Sequence, residues 1–77
     1  MIDITLLQVT PDDVLIKPKT ASGMLWLQTH FQNDDWEALA KGEAGLDVKH
    51  ADMMSQDANL AGLRIHYPSP KTFKRKN

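Results

Sequence analysis

The chain has 77 residues, with ten acidic side chains and nine Lys or Arg, and a net charge of −1. This length fits one domain with a thin core, because so short a chain buries only about 60% of the surface it exposes when unfolded. The absence of cysteine excludes a disulfide framework and a zinc site with thiolate ligands. No apolar run approaches the roughly 20 residues of a membrane span, and the N-terminus lacks a basic signal segment, so we expect a cytoplasmic protein.

Charge is unevenly distributed along the chain. Residues 30–60 carry seven acidic side chains and two basic ones, whereas residues 71–77 carry four basic side chains and no acidic one. The sequence therefore divides into an acidic body and a short basic end. Such a division concerns binding partners more than the fold.

The first predicted elements are two strands joined by a tight turn. Residues 2–6 (IDITL) alternate between apolar and polar, which is the period of a half-buried strand. Leu7 and Val9 would then face the other side, which predicts a bulge or a strand end covered on both faces. Residues 10–13 (TPDD) suit a type I turn. Residues 14–17 (VLIK) complete an antiparallel hairpin.

A helix is predicted after this hairpin. Thr20 or Ser22 can cap its start, and we expect it to run to about His30. Gly23 lies near its beginning and should weaken it by up to about 1 kcal/mol relative to alanine.

Two further helices are expected in the acidic body. Asp34 followed by Glu37 resembles a capping box and predicts a short helix that ends at Gly42. Asp47 is expected to begin a third helix that reaches Ala61.

Residues 63–67 (LRIHY) alternate again and predict a third strand. We therefore expect an α+β fold in the order ββαααβ, with a three-stranded antiparallel sheet covered on one face by helices. Residues 1–67 should form a single domain, and residues 68–77 a basic, flexible tail. The predicted core comprises Ile4, Leu6, Val14, Ile16, Leu27, Phe31, Leu39, Met54, Ala58, Ile65 and Tyr67.

Catalytic motifs are not found in the sequence. It has no glycine-rich phosphate loop, nucleophile elbow or zinc-protease motif. His30, His50 and His66 lie far apart, and a histidine–carboxylate site would require the fold to bring them together. The paired acids Asp34 and Asp35 are explained by the start of a helix, where carboxylates stabilise the dipole. We expect no enzymatic activity, no cofactor, no metal site and no small-molecule substrate, and a small enzyme is the least favoured function.

Some large apolar side chains lie off the main stripes of their helices. Trp26 lies more than 100° around its helix from the apolar stripe that contains Leu27 and Phe31, at the helical rotation of about 100° per residue. Met53 and Leu60 share a face of the third helix opposite its alanines. These residues either complete the packing of helices covered on two sides or form an exposed patch that binds a protein or a second copy of the chain. We take Trp26, Met53 and Leu60 as candidate protein-binding residues.

The basic end is a second candidate interface. Its charged and aromatic side chains are Lys71, Phe73, Lys74, Arg75 and Lys76. The basic groups could hold a phosphate backbone while Phe73 stacks on an unpaired base. The alternative is a solubilising tail, or one that folds back on the acidic body.

Three stretches resemble short uncharacterised bacterial proteins of prophages and plasmids: residues 22–31 (SGMLWLQTHF), 36–44 (WEALAKGEA) and 56–63 (QDANLAGL). The resemblance spans about residues 20–63. It implies an accessory protein of a mobile element that binds and modulates a host protein, and it brings no activity or binding residues with it. The favoured function is a non-catalytic cytoplasmic protein-interaction module, and the alternative is a nucleic-acid-binding module that uses the tail.

Overall fold

A computed structural model describes residues 1–68 as two layers, a four-stranded sheet and three helices. The strands are β1 (Ile4–Gln8), β2 (Asp13–Pro18), β3 (Ala44–Asp47) and β4 (Ile65–His66). The helices are α1 (Ala21–His30), α2 (Trp36–Lys41) and α3 (Val48–Leu60), and a 3₁₀ turn, Asn33–Asp35, precedes α2.

The sheet is mixed and has the order β3-β2-β1-β4. β1 and β2 form the predicted antiparallel hairpin, with Leu6 opposite Ile16. β3 pairs antiparallel with β2, and β4 pairs parallel with β1. The α+β class is thus confirmed, but the three-stranded antiparallel sheet and the order ββαααβ are wrong. The observed order is ββααβαβ.

Both differences have local causes. β3 has the sequence AGLD, and alanine, glycine and aspartate are poor strand formers, so no strand pattern marks it. β4 is parallel because α3 carries the chain back to the end of the sheet where β1 begins, as helical crossovers do. The pairing of β4 covers only two residues rather than residues 63–67.

The core lies between the sheet and the helices. Alternate residues of β1 and β2 are completely buried, and α1 and α2 reach them through Leu27 and Leu39. Most of the predicted core is confirmed as buried: Ile4, Leu6, Val14, Ile16, Leu27, Leu39 and Ala58. The other predicted residues, Phe31, Met54, Ile65 and Tyr67, are partly buried against it. Ala44 and Ala51 also belong to the core. Ala51 is one of the alanines of the third helix that the sequence pattern placed on its packing side, whereas the pattern did not indicate Ala44.

The far side of the sheet is different. Leu7 and Val9 point there and remain 40% and 42% exposed. The pairing of β1 with β2 runs without interruption, so the bulge and the covering on both faces predicted at this point are both wrong. No helix among residues 1–68 packs on this side, which we call the open face. It comprises Thr5, Leu7, Val9, Asp13, Leu15, Lys17, Gly45, Asp47 and His66.

Helix caps follow the sequence closely, with one exception. Thr20, rather than Ser22, caps α1, and Asp47 caps α3 as predicted. Gly42 ends α2 in the left-handed conformation with φ of 73°. The predicted capping box from Asp34 is wrong, because the chain forms a 3₁₀ turn there and no side chain caps α2.

Asp3 joins three parts of the fold. Its carboxylate accepts hydrogen bonds from the Thr20 hydroxyl at 2.6 Å and from the Arg64 backbone N–H at 3.0 Å. Its backbone carbonyl accepts from the Lys19 N–H at 2.7 Å, and its own N–H donates to the Arg64 carbonyl. These bonds hold the start of β1 against both the cap of α1 and the segment that enters β4. The hydrogen bond from Thr20, followed by that from Arg64, lowers the pKa of Asp3.

Gly23 has a role that the sequence does not reveal. A Cβ atom here would lie far inside van der Waals contact of the Asp3 carbonyl oxygen and 3.1 Å from Cγ1 of Ile4. The first turn of α1 therefore packs directly on the backbone at the start of β1. Glycine is required at this position by close packing, and its low helix propensity is offset by that contact.

We predict that Gly23→Ala destabilises the domain. Helix propensity alone would make alanine about 1 kcal/mol more stable. The clash with backbone atoms should instead lower the free energy of unfolding by about 1–3 kcal/mol. Urea unfolding measures the difference, and Ser22→Ala, at the exposed neighbouring position, serves as the control and should be neutral or slightly stabilising. A Gly23→Ala protein as stable as the original would contradict the close contact.

We also predict that the contribution of Asp3 depends on pH. Since its pKa in the folded state lies below the ordinary value of 3.8, its stabilisation is present above that value and is lost as the pH falls through the folded-state pKa. Asp3→Asn should therefore be less stable than the original chain near neutrality, and the difference should shrink in acid. Unfolding midpoints measured across pH test this. Thr20→Ser keeps the hydroxyl and should retain the pH dependence, whereas identical pH profiles for Asp3→Asn and the original would refute the role of the carboxylate.

Candidate functional site

A groove of about 250 Å³ opens between the end of α1 and one side of α3. We call it the α1–α3 groove. Its lining residues are His30, Phe31, Leu46, His50, Met53, Met54 and Asp57.

The helical repeat explains why four of these residues meet. His50, Met53, Met54 and Asp57 have the spacing i, i+3, i+4 and i+7, which places them on one side of α3. That side lies next to the residues buried from α3, so it borders the core, although His50, Met53 and Asp57 are themselves exposed. Leu46 contributes from the helix-facing side of β3.

The groove has an apolar floor and a polar rim. Met53 is 56% exposed, while Phe31, Leu46 and Met54 are partly buried against the core. Methionine side chains are flexible and polarisable, so they adapt to the shape of an incoming apolar group. The charged or titratable side chains of His50 and Asp57 stand at the edge.

Two contacts hold the histidines of the rim. The His50 ring lies with Nδ1 2.7 Å from Oδ1 of Asp47, and the same oxygen accepts the backbone N–H of His50 at 2.8 Å. These contacts, the backbone one first, lower the pKa of Asp47. On the other wall, His30 packs against Trp26 with ring centroids 4.0 Å apart and planes tilted by 36°.

The three candidate protein-binding residues lie in different surroundings. Met53 lines the α1–α3 groove. Trp26 is partly buried against the core and borders the groove through its contact with His30. Leu60 is 86% exposed on the last turn of α3 and does not line the groove.

The three histidines do not come together in the fold. His30 and His50 both line the groove, but His66 is on β4 and points to the open face. Within residues 1–68, no three His, Asp or Glu side chains are placed to hold a metal ion. Asp34 and Asp35 are exposed in the 3₁₀ turn before α2.

Sequence reasoning did not assign most of the groove to a site. The spacing of Met53, Met54 and Asp57 was visible in the sequence and could have indicated a shared side of α3. Phe31 was expected only in the core. Leu46 could not be predicted as a groove residue, because its position depends on a strand that had no sequence signal.

A second cleft, of about 220 Å³, lies where the described chain ends. Its lining residues are Gln8, Val48, Asp52, Tyr67 and Pro68. Burial raises the pKa of Tyr67, and the neighbouring Asp52 carboxylate adds to the increase through its charge and a hydrogen bond. Tyr67 is also partly buried against the core.

The candidate nucleic-acid-binding residues of the basic end, Lys71, Phe73, Lys74, Arg75 and Lys76, lie outside the described residues. In the part of the chain that is described, no helix has both the length and the apolar character needed to cross a membrane.

Comparison with known proteins identifies a family. Residues 6–69 match the cyanobacterial NIF11-like domain, and a match over this much of the chain shows that the chain belongs to that family. No curated protein and no solved structure matches it. The resemblance to prophage and plasmid proteins is therefore wrong. The cyanobacterial family agrees with the broader expectation of a bacterial protein.

Proposed function

We propose that this member of the cyanobacterial NIF11-like domain family is a non-catalytic module that binds another protein through the α1–α3 groove. The observation that carries the proposal is the exposure of Met53 beside the partly buried Phe31, Leu46 and Met54. An apolar centre with a polar rim is the usual anatomy of a protein interface, where Met and aromatic residues are enriched.

The chemistry of the groove defines the kind of partner. Its apolar floor would take one or two apolar side chains from a helix or loop of the partner. Because His50 and Asp57 border that floor, the partner would place polar groups around its apolar contact. A groove of this size suits one anchoring contact within a larger interface.

The surroundings of the two groove histidines support a binding role over a catalytic one. His50 is paired with Asp47, and His30 packs on Trp26. Among residues 1–68, neither ring is hydrogen-bonded to a hydroxyl side chain, the arrangement that activates a nucleophile. The cytoplasmic location expected from the sequence stays a prediction, as does nucleic-acid binding by the basic end.

We predict that Met53→Glu weakens partner binding without unfolding the domain. Glutamate is a good helix former, and position 53 is exposed, so α3 should remain intact. An anchoring contact worth about 1–2 kcal/mol corresponds to a loss of roughly five- to thirtyfold in affinity. Quantitative pull-down from a cyanobacterial lysate, with mass spectrometry of the bound proteins, measures the loss.

Gln56→Glu is the matched control, since it adds the same charge to an exposed position of α3 outside the groove. It should retain the partner. Retention by Met53→Glu, or equal loss with both variants, would contradict the proposal. Trp26→Ala is a poorer probe, because Trp26 packs against the core and its removal also affects stability.

A further inference from the structure

The described chain ends beside α3. Tyr67 and Pro68 line the 220 Å³ cleft together with Val48 and Asp52, which lie on the first two turns of that helix. Residues 69–77 continue from this point and carry four basic side chains and one aromatic one, Phe73. The family match ends at residue 69, so nearly all of this segment follows the NIF11-like domain. The basic end therefore starts next to the helix that forms one wall of the α1–α3 groove.

Phe73 can reach the groove from Pro68. Met53 lies 100–140° around α3 from Asp52 and Val48, at about 100° per residue. For a helix about 10–12 Å in diameter, this arc measures about 9–15 Å over the exposed outer side of α3. Five residues of extended chain span at most about 16–18 Å. The ring of Phe73 therefore reaches Met53 with little chain to spare.

The elements that line the groove carry an excess of negative charge. α1 contains no Asp, Glu, Lys or Arg, and the only charged residue of β3 is Asp47. The pKa of Asp47 is lowered by its hydrogen bonds from His50, so it stays negative. α3 adds Lys49, Asp52 and Asp57. With the histidines neutral, these walls have three acidic side chains to one basic, which attracts a segment with four basic side chains and no acidic one.

The aromatic residue distinguishes the groove from other acidic surfaces. The turn between β1 and β2 also carries two acidic residues and is bonded to the start of α3 through Val48 and Asp12. That turn is polar throughout residues 10–13 (TPDD), whereas the floor of the groove is apolar. Phe73 gains stability only where apolar atoms cover its ring, so it favours the groove.

We propose that the basic end folds back over α3 and places Phe73 in the α1–α3 groove. The ring contacts Met53, whose flexible thioether makes favourable contacts with aromatic rings. The basic side chains on either side of Phe73 lie close to the acidic side chains of α3. The segment then occupies the site that we assign to a partner, so it competes with that partner. This regulatory consequence rests on the proposed function of the groove.

The competition should be modest. A short flexible linker gives an effective concentration on the order of millimolar. If the isolated segment bound the groove with a Kd of about 1 mM, it would fill the groove about half of the time. The apparent affinity for the partner would then fall about twofold. A contact of this strength opens readily when a stronger partner arrives.

Methionine methyl signals test the contact without a partner. Met53 and Met54 line the groove, while Met24 lies in a cleft on the α2 side of α1 and Met1 is exposed. In the full chain labelled with ¹³C-methyl methionine, Phe73→Ala should shift the signals of Met53 and Met54 and leave the other two in place. Thr72→Ala, a neighbouring change of similar size, should shift none of the four.

Salt gives a second reading of the same signals. At about 1 M ionic strength, where the Debye length is about 3 Å, the attraction between the basic end and α3 is screened. The Met53 and Met54 signals should then move toward their positions in Phe73→Ala. In the Phe73→Ala chain itself, the same salt should leave them unchanged. Signals that ignore Phe73→Ala, or that respond equally to Thr72→Ala, overturn the proposal.

A spin label locates the segment directly. The chain has no cysteine, so Asn77→Cys provides a single attachment site. The label should reduce the intensity of the Met53 and Met54 signals, leave Met24 intense, and lose this selectivity when Phe73→Ala is added. Equal losses with and without Phe73, or losses confined to Val9 beside the β1–β2 turn, overturn the proposal. None of these readings involves a partner, so failure of the tail contact and failure of the groove as a partner site are distinguishable.

Discussion

The position of β1 depends on the bonds made by one residue, Asp3. Its carboxylate accepts hydrogen bonds from the Thr20 hydroxyl and the Arg64 N–H, and its backbone carbonyl accepts one from the Lys19 N–H. Thr20 can cap α1 because its oxygen accepts the N–H of Gly23 while its hydrogen is donated to Asp3. The first strand, the first helix and the entry to β4 are therefore fixed by one connected set of hydrogen bonds. In a chain whose core is thin, burial of apolar area alone gives limited stability, and this polar junction adds to it.

This junction also determines how the layers meet. Because Gly23 has no side chain, α1 approaches the backbone of Asp3 closely enough for the cap to reach the carboxylate. Leu27, one turn further along, is then completely buried over the sheet. Within residues 1–68 all the helical packing is on this side, and Leu7 on the other side stays 40% exposed. The α1–α3 groove thus follows from the same arrangement, in which the helices cover one face of the sheet.

Sequence reasoning succeeded where the determinants are local. Thr20 and Asp47 were recognised as caps because the hydrogen bonds they accept come from residues only three positions ahead. The alternation of apolar and polar residues around Leu6 and Ile16 indicated directly which side chains are buried. It failed where the determinants are distant in sequence. The pairing of Ala44–Asp47 depends on β2, some thirty residues earlier, and its composition does not favour a strand. The groove was not predicted for the same reason, since Leu46, which lines it, lies on that strand. The need for glycine at position 23 could not be predicted either, because the atoms that leave no room for a Cβ there belong to Asp3.

The position of Asp47 limits where the chain can change in length. It is the last residue of β3 and also the cap of α3, so strand and helix follow each other without a linker. The N–H of Val48 donates to the Asp12 carbonyl at 3.0 Å, which ties this junction to the turn between β1 and β2. A residue inserted here would rotate the whole of α3 by about 100° and turn its buried alanines away from the sheet. Insertions and deletions should therefore be tolerated in the exposed segment between α1 and α2 but not at the junction of β3 and α3, and chain-length variation among related domains should be distributed accordingly.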